Sequence, residues 1–227
     1  MSAVLVTLIP WFAVVVGAAI TAVRRPGPNL TSAIQHFAAG VVFAAAAGEV
    51  LPSLKHAGAA VPVAIGGTIG VLVMLGVKQV GERAKGPAAL VALIAVDMLI
   101  DGLVLGIAFV AGARQGILLT VALTLEVLFL GLAMAVELSG KAISRLRVIG
   151  ITAAVGLVLP VGALIAQPVS MLPISAVTAF YAFGIVALLY LVTEELLVEA
   201  HECPERPWVT AMFFVGFLAL FLLEETL

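Results

Sequence analysis

Residues 95–109 read AVDMLIDGLVLGIAF, with two aspartates, Asp97 and Asp101, and no lysine or arginine. The uncharged flanks extend this run from residue 88 to residue 112 with no further charge. About 20 apolar residues suffice to cross the roughly 30 Å hydrocarbon core of a bilayer as a helix. The spacing i, i+4 puts both carboxylates on one face of that helix. An acid at the bilayer centre costs at least about 2.5 kcal/mol. Two acids one turn apart in such a place call for a reason beyond solubility.

The rest of the 227-residue chain repeats the apolar pattern. Charged residues make up 11% and hydrophobic residues 63%, against about 25% charged in soluble domains, and the mean hydropathy is +1.28. Such a chain cannot cover a water-facing surface, so an integral membrane protein of one domain, residues 1–227, is expected. Ala, Val, Leu and Gly dominate and aromatics are 7%, which suits closely packed membrane helices and not the alternating strands of an outer-membrane barrel. The net charge of -2 gives no footing for nucleic acid, and the single cysteine, Cys203, excludes an intramolecular disulfide. The apolar N-terminal run is too long for a signal h-region and has no basic segment before it, so it reads as the first span.

Charged and Pro/Gly-rich breaks divide the chain into eight candidate spans, at about 3–23, 31–53, 60–81, 88–112, 115–138, 148–168, 173–200 and 208–226. Every connection is short. Those after the first, third, fifth and seventh spans carry Arg24, Arg25, Lys78 (at its helix end), Arg83, Lys85, Lys141, Arg145, Arg147 and Arg206, while the opposite side has only Lys55 and Arg114. The positive-inside rule then puts the basic connections in the cytoplasm and both termini outside. The second span (HFAAGVVFAAAAGEVLP) and the seventh (FYAFGIVALLYLVTEELLVE) echo each other, each with an early glycine, Gly40 or Gly184, and an acid about ten residues later, Glu49 or Glu194. They run in opposite directions, as an inverted repeat of the first three and last three spans requires.

Most of the 13 acidic residues lie in connections or at helix ends, Glu137 and Glu199 among the latter. Asp97 falls about 13 Å into the fourth span, and Glu126 enters the fifth to a similar depth from the other side. No Lys or Arg falls in the central part of any span, and carboxylates so close repel one another unless they hold a proton or a cation. Asp97, Asp101 and Glu126 are therefore the candidate ligands of a cation site with oxygen donors. Glu49, near the outer end of the second span, and Glu194, Glu195 and His36, on the inner side, mark a route toward and away from it.

These stretches resemble the ZIP (Zrt/Irt-like) family of divalent metal transporters. The family's fourth helix carries a motif like H-N-x-x-[DE]-G, often continued L-A-I-G; residues 97–106, DMLIDGLVLG, fit that frame, with Asp97 at the histidine position, Met98 at the asparagine and Asp101 at the acid. Against the fifth-helix motif H-E-x-P-H stand residues 125–129, LEVLF, where Glu126 alone is kept. The resemblance implies eight helices in 3+2+3 inverted-repeat order with outward termini, alternating access in which helices four and five move against the rest, and a zinc, iron or manganese ion as substrate. Because both fifth-helix histidines are replaced and GERAKGP stands where the family has a histidine-rich loop, one site is expected in place of an adjacent pair. Met98 is a weak additional thioether donor. The family points to zinc, iron or manganese; the carboxylates themselves lean toward manganese or a broad divalent preference.

The expected function is transport of a divalent cation into the cytoplasm, with no permanently bound cofactor. Carboxylates there can also carry protons, so a cation/proton exchanger or exporter is the alternative, as is a metal-binding protein that does not transport. An aspartyl enzyme fits poorly: its two carboxylates must face each other, while Asp97 and Asp101 project together from one helix, and no CxxC or HExxH motif suggests other catalysis. The expected partners are the cation and the lipid of a bacterial-type inner membrane; a homodimer is compatible with the chain.

Overall fold

The computed structural model of the chain describes residues 3–23, 26–56, 60–83, 86–139, 143–203 and 206–226, apart from the side chains of residues 3, 49, 50, 53, 55, 56 and 87. Arg24, Arg25, Lys85 and Lys141 lie outside the described residues. Those described are almost entirely helical, with no strand. Eight helices are long and apolar enough to cross a membrane: α1 (Val4–Val23), α2 (Pro28–Gly48), α3 (Ala60–Arg83), α4 (Ala88–Ala111), α5 (Ala113–Ser139), α6 (Arg145–Met171), α7 (Ile174–Ala200) and α8 (Pro207–Thr226). All eight expected spans are present. The second is longer than its hydropathy suggested, starting at Pro28 and running on as helix through His56.

Proline and glycine set the boundaries. Pro28 and Pro207 open α2 and α8, and Pro87 begins the helical run of α4, where the N–H that proline lacks would be unpaired anyway. Gly86 precedes Pro87 at φ 94°, a left-handed conformation that glycine adopts without a Cβ clash. Two internal prolines interrupt their helices three residues upstream. Pro10 cannot bond to the Val6 carbonyl, and the helix breaks at Thr7; Pro160 cannot bond to Gly156, and the break falls at Leu157. Two π turns, Ala46–Val50 in α2 and Leu191–Leu196 in α7, each place one extra residue in a turn. Pro52 stands two residues beyond the first.

The helices pack most extensively in four pairs: α1 with α5, α2 with α8, α4 with α6 and α3 with α7. Glycines at these crossings let backbones touch. A Cβ on Gly17 would overlap the Leu128 carbonyl, and one on Gly131 the Val14 carbonyl, so α1 and α5 meet through reciprocal glycines. Gly102 and Gly162 do the same for α4 and α6 through the Leu159 and Leu99 carbonyls, and Gly40 and Gly216 for α2 and α8 through Phe213 and Phe37. Gly66 brings α3 onto the Ala179 carbonyl of α7. In lipid no hydrophobic force drives helices together, so such close packing supplies the association. The most enclosed helices are α2 and α5, while α3 and α8 lie outermost.

Overpacking a tight backbone contact costs about 1–3 kcal/mol. Gly17→Ala and Gly102→Ala are therefore expected to lower the thermal unfolding midpoint in detergent by several degrees. Gly76→Ala, which meets nothing within 4 Å, should leave it unchanged or raise it; equal effects at all three positions would contradict the packing argument.

Candidate metal centre

The glycines that fix α4 and α5 also aim their acids. At about 100° per residue, a position five residues on lies about 140° around a helix. Asp97 is followed at that distance by Gly102, Asp101 by Gly106 and Glu126 by Gly131. Each helix therefore presses its glycine face on an outer partner, α6 or α1, and turns its carboxylates to the interior. Asp97, Asp101 and Glu126 are 8%, 2% and 3% exposed.

One oxygen from each of the three lies within 4.8 Å of the others. A point then exists no farther than about 2.8 Å from all three, close to the 2.3–2.6 Å of calcium–oxygen bonds and within a small side-chain adjustment of shorter ones. Asp101 Oδ2 and Glu126 Oε2 are buried with no hydrogen-bond partner. The described ion pairs, Lys78–Glu194 and Arg114–Glu224, involve none of the three. Carboxylates this close and this dry cannot all be ionised unless a cation lies among them; without one they must hold protons. Met98, fully buried, belongs to the hydrophobic core.

Asp97 also reaches a cavity of about 410 Å³. The cavity is walled by residues 77–82 of α3, 90–97 of α4, 130–137 of α5 and 190–199 of α7. These are the closing turns of α3, α5 and α7 and the opening turns of α4, so the vestibule occupies the end of the bundle where Arg83, Arg145 and Arg206 gather. Glu82, Glu137, Glu194, Glu195, Glu199, Lys78 and Tyr190 line it together with Asp97. The expected pair Glu194 and Glu195 is thus on the same cavity as Asp97, carried by the π turn of α7. Glu137 and Glu199 read as solvated helix ends in the sequence; they do face water, but across from Asp97.

His36 lies apart from this lining. It is buried, its Nδ1–H donates to the Ser32 carbonyl at 2.9 Å, and its ring meets His201 edge-on with centroids 5.0 Å apart. Ser32 Oγ donates to the Ala200 carbonyl at 2.6 Å, and Gln35 Nε2 to Glu199 Oε2 at 2.8 Å. The start of α2 is thereby tied to the end of α7, and His36 touches the vestibule only indirectly, through its neighbour Gln35. Glu49 falls in the π turn of α2, but its side chain lies outside the described residues. Comparison of the chain with protein-family models and with curated protein sequences returns no match to either.

Because the empty triad must take up protons to escape its own repulsion, removing one member has two opposite effects. Glu126→Gln is expected to raise the unfolding midpoint of the metal-free protein at neutral pH. The same substitution should weaken Mn²⁺ binding, followed by electron paramagnetic resonance, by more than about a hundredfold, since losing even an outer-shell partner costs 10–100-fold. The unsubstituted protein should bind one ion per chain, and a midpoint that falls in Glu126→Gln would contradict the repulsion.

Proposed function

We propose that this protein is a divalent cation transporter related to the ZIP family, carrying its substrate through a single mid-membrane site of Asp97, Asp101 and Glu126. One observation carries the proposal: three buried carboxylates with two unpartnered oxygens stand at the head of an acid-lined cavity. A structural role would pair these acids with bases or hydrogen-bond donors, whereas a site that loads and unloads a cation must leave oxygens free.

The helix pairing supports the same reading. An inverted repeat relating helices one to three to helices six to eight, and helix four to helix five, exchanges α1·α5 with α6·α4 and α2·α8 with α7·α3. Those are the four observed pairs. Both internal proline breaks fall in α1 and α6, and both π turns in α2 and α7, the helices that such a repeat equates. With the basic connections in the cytoplasm, the vestibule opens inward and the cation leaves past Glu195 and Glu194. An all-carboxylate site favours manganese or a broad range of hard divalent ions over a strict zinc preference. Protons that neutralise the empty triad would return in the opposite sense, linking metal and proton movement.

The test is uptake of Mn²⁺, Fe²⁺ and Zn²⁺ into proteoliposomes with internal pH recorded. Flux of at least one metal is expected, reduced more than about tenfold in each of Asp97→Ala, Asp101→Ala and Glu126→Ala, since every 1.4 kcal/mol of lost interaction is a factor of ten. Undiminished flux in the three variants would overturn the proposal.

A further inference from the structure

Among the described residues, Lys78 is the one basic residue on the vestibule wall, which also carries six carboxylates: Glu82, Asp97, Glu137, Glu194, Glu195 and Glu199. Its Nζ lies 2.7 Å from Glu194 Oε2, with the two side chains 45% and 43% exposed. As a fold stabiliser such a pair at a watery mouth is worth little. Its position carries more information than its strength. Lys78 reaches Glu194 from α3, which Gly66 holds against α7, so the contact is made within one helix pair and needs nothing from α4 or α5.

Glu194 and Glu195 are consecutive on the α7 π turn, and Glu199 follows about one turn later. Glu195 lines the same cavity as Asp97. A divalent cation leaving the triad therefore meets a second group of carboxylates before it meets bulk water. Left alone, that group would hold the ion through two or more oxygens, and release would be slow. Lys78 alters this in two ways. It occupies Oε2 of Glu194, and it sets a positive charge beside the path that repels a cation pausing there.

We propose that Lys78 is a tethered counter-cation: a positioning residue that neutralises Glu194 so that the vestibule passes the substrate cation on without trapping it. The inference rests on the transport reading above and adds to it a residue that governs release and leaves loading of the triad unchanged.

The test is Mn²⁺ flux out through the vestibule in proteoliposomes, with KM and turnover measured separately for the unsubstituted protein, Lys78→Met, Lys78→Arg, Glu194→Gln and the Lys78→Met/Glu194→Gln double variant. Lys78→Met is expected to lower both turnover and KM, each by roughly tenfold, because a unit charge is removed from beside a doubly charged ion. Lys78→Arg should behave like the unsubstituted protein. The double variant should recover most of the lost turnover, because the trap is removed with its counter-charge. A pair with only a structural role predicts the opposite pattern: Glu194→Gln as damaging as Lys78→Met, the double variant no better, and KM unmoved. That pattern, or normal kinetics in Lys78→Met, overturns the inference while leaving transport standing. No flux in the unsubstituted protein overturns transport itself and the inference with it.

Discussion

The architecture depends on backbones that touch where a glycine allows it. At Gly102 the α4 backbone rests on the Leu159 carbonyl of α6, and at Gly131 the α5 backbone rests on the Val14 carbonyl of α1. These contacts do more than hold pairs together. Because the acids precede the glycines by a fixed five residues, fixing one face of the helix fixes where the other points. A side chain larger than hydrogen at either glycine would both separate the pair and rotate or tilt the helix that bears the carboxylates. Stability and ligand geometry are in this way controlled by the same few atoms.

Electrostatics divides the interior into two zones. Deep in the bundle, three carboxylates share a dry space with no basic partner among the described residues, and their mutual repulsion makes a visiting cation or proton the natural complement. Nearer the basic end, five more carboxylates face a water-reachable cavity, where hydration and one ammonium moderate them. On the transport reading proposed above, affinity for a cation would be highest where the site is enclosed and would decline toward the opening, the gradient that a passage needs if ions are to leave as well as bind. Tying α2 to α7 through Ser32 and Gln35 keeps the wall carrying Glu199 in place.

Much of this was legible in the residues, because oil makes charge conspicuous. Eight spans stand out from length and hydropathy alone, and Asp97, Asp101 and Glu126 stand out because no solvent explains them. The vestibule was harder to see. Glu82, Glu137 and Glu199 sit within a few residues of helix ends, where a solvated acid is unremarkable, and only the crossing of four helices shows that they share one cavity. His36 lies off the vestibule wall: its Nδ1–H bonds the Ser32 carbonyl and its ring meets His201, while its buried Nε2 has no hydrogen-bond partner among the described residues. The helix pairing was hidden because a glycine announces close approach without naming what approaches. The break in α6 was written at Pro160 but is outweighed in any hydropathy window by the leucines and valines around it.

The π turn of α7 has a consequence for how that helix can vary. One inserted residue advances everything downstream by about 100° relative to an uninterrupted α-helix. The helix therefore has two angular frames. Upstream of Leu191, side chains are placed by the seam with α3, through Ala179; downstream, Glu199 and Ala200 are placed by α2. Substitutions in the upstream seam need not be compensated at Glu199, while Glu194 stays linked to α3 through Lys78.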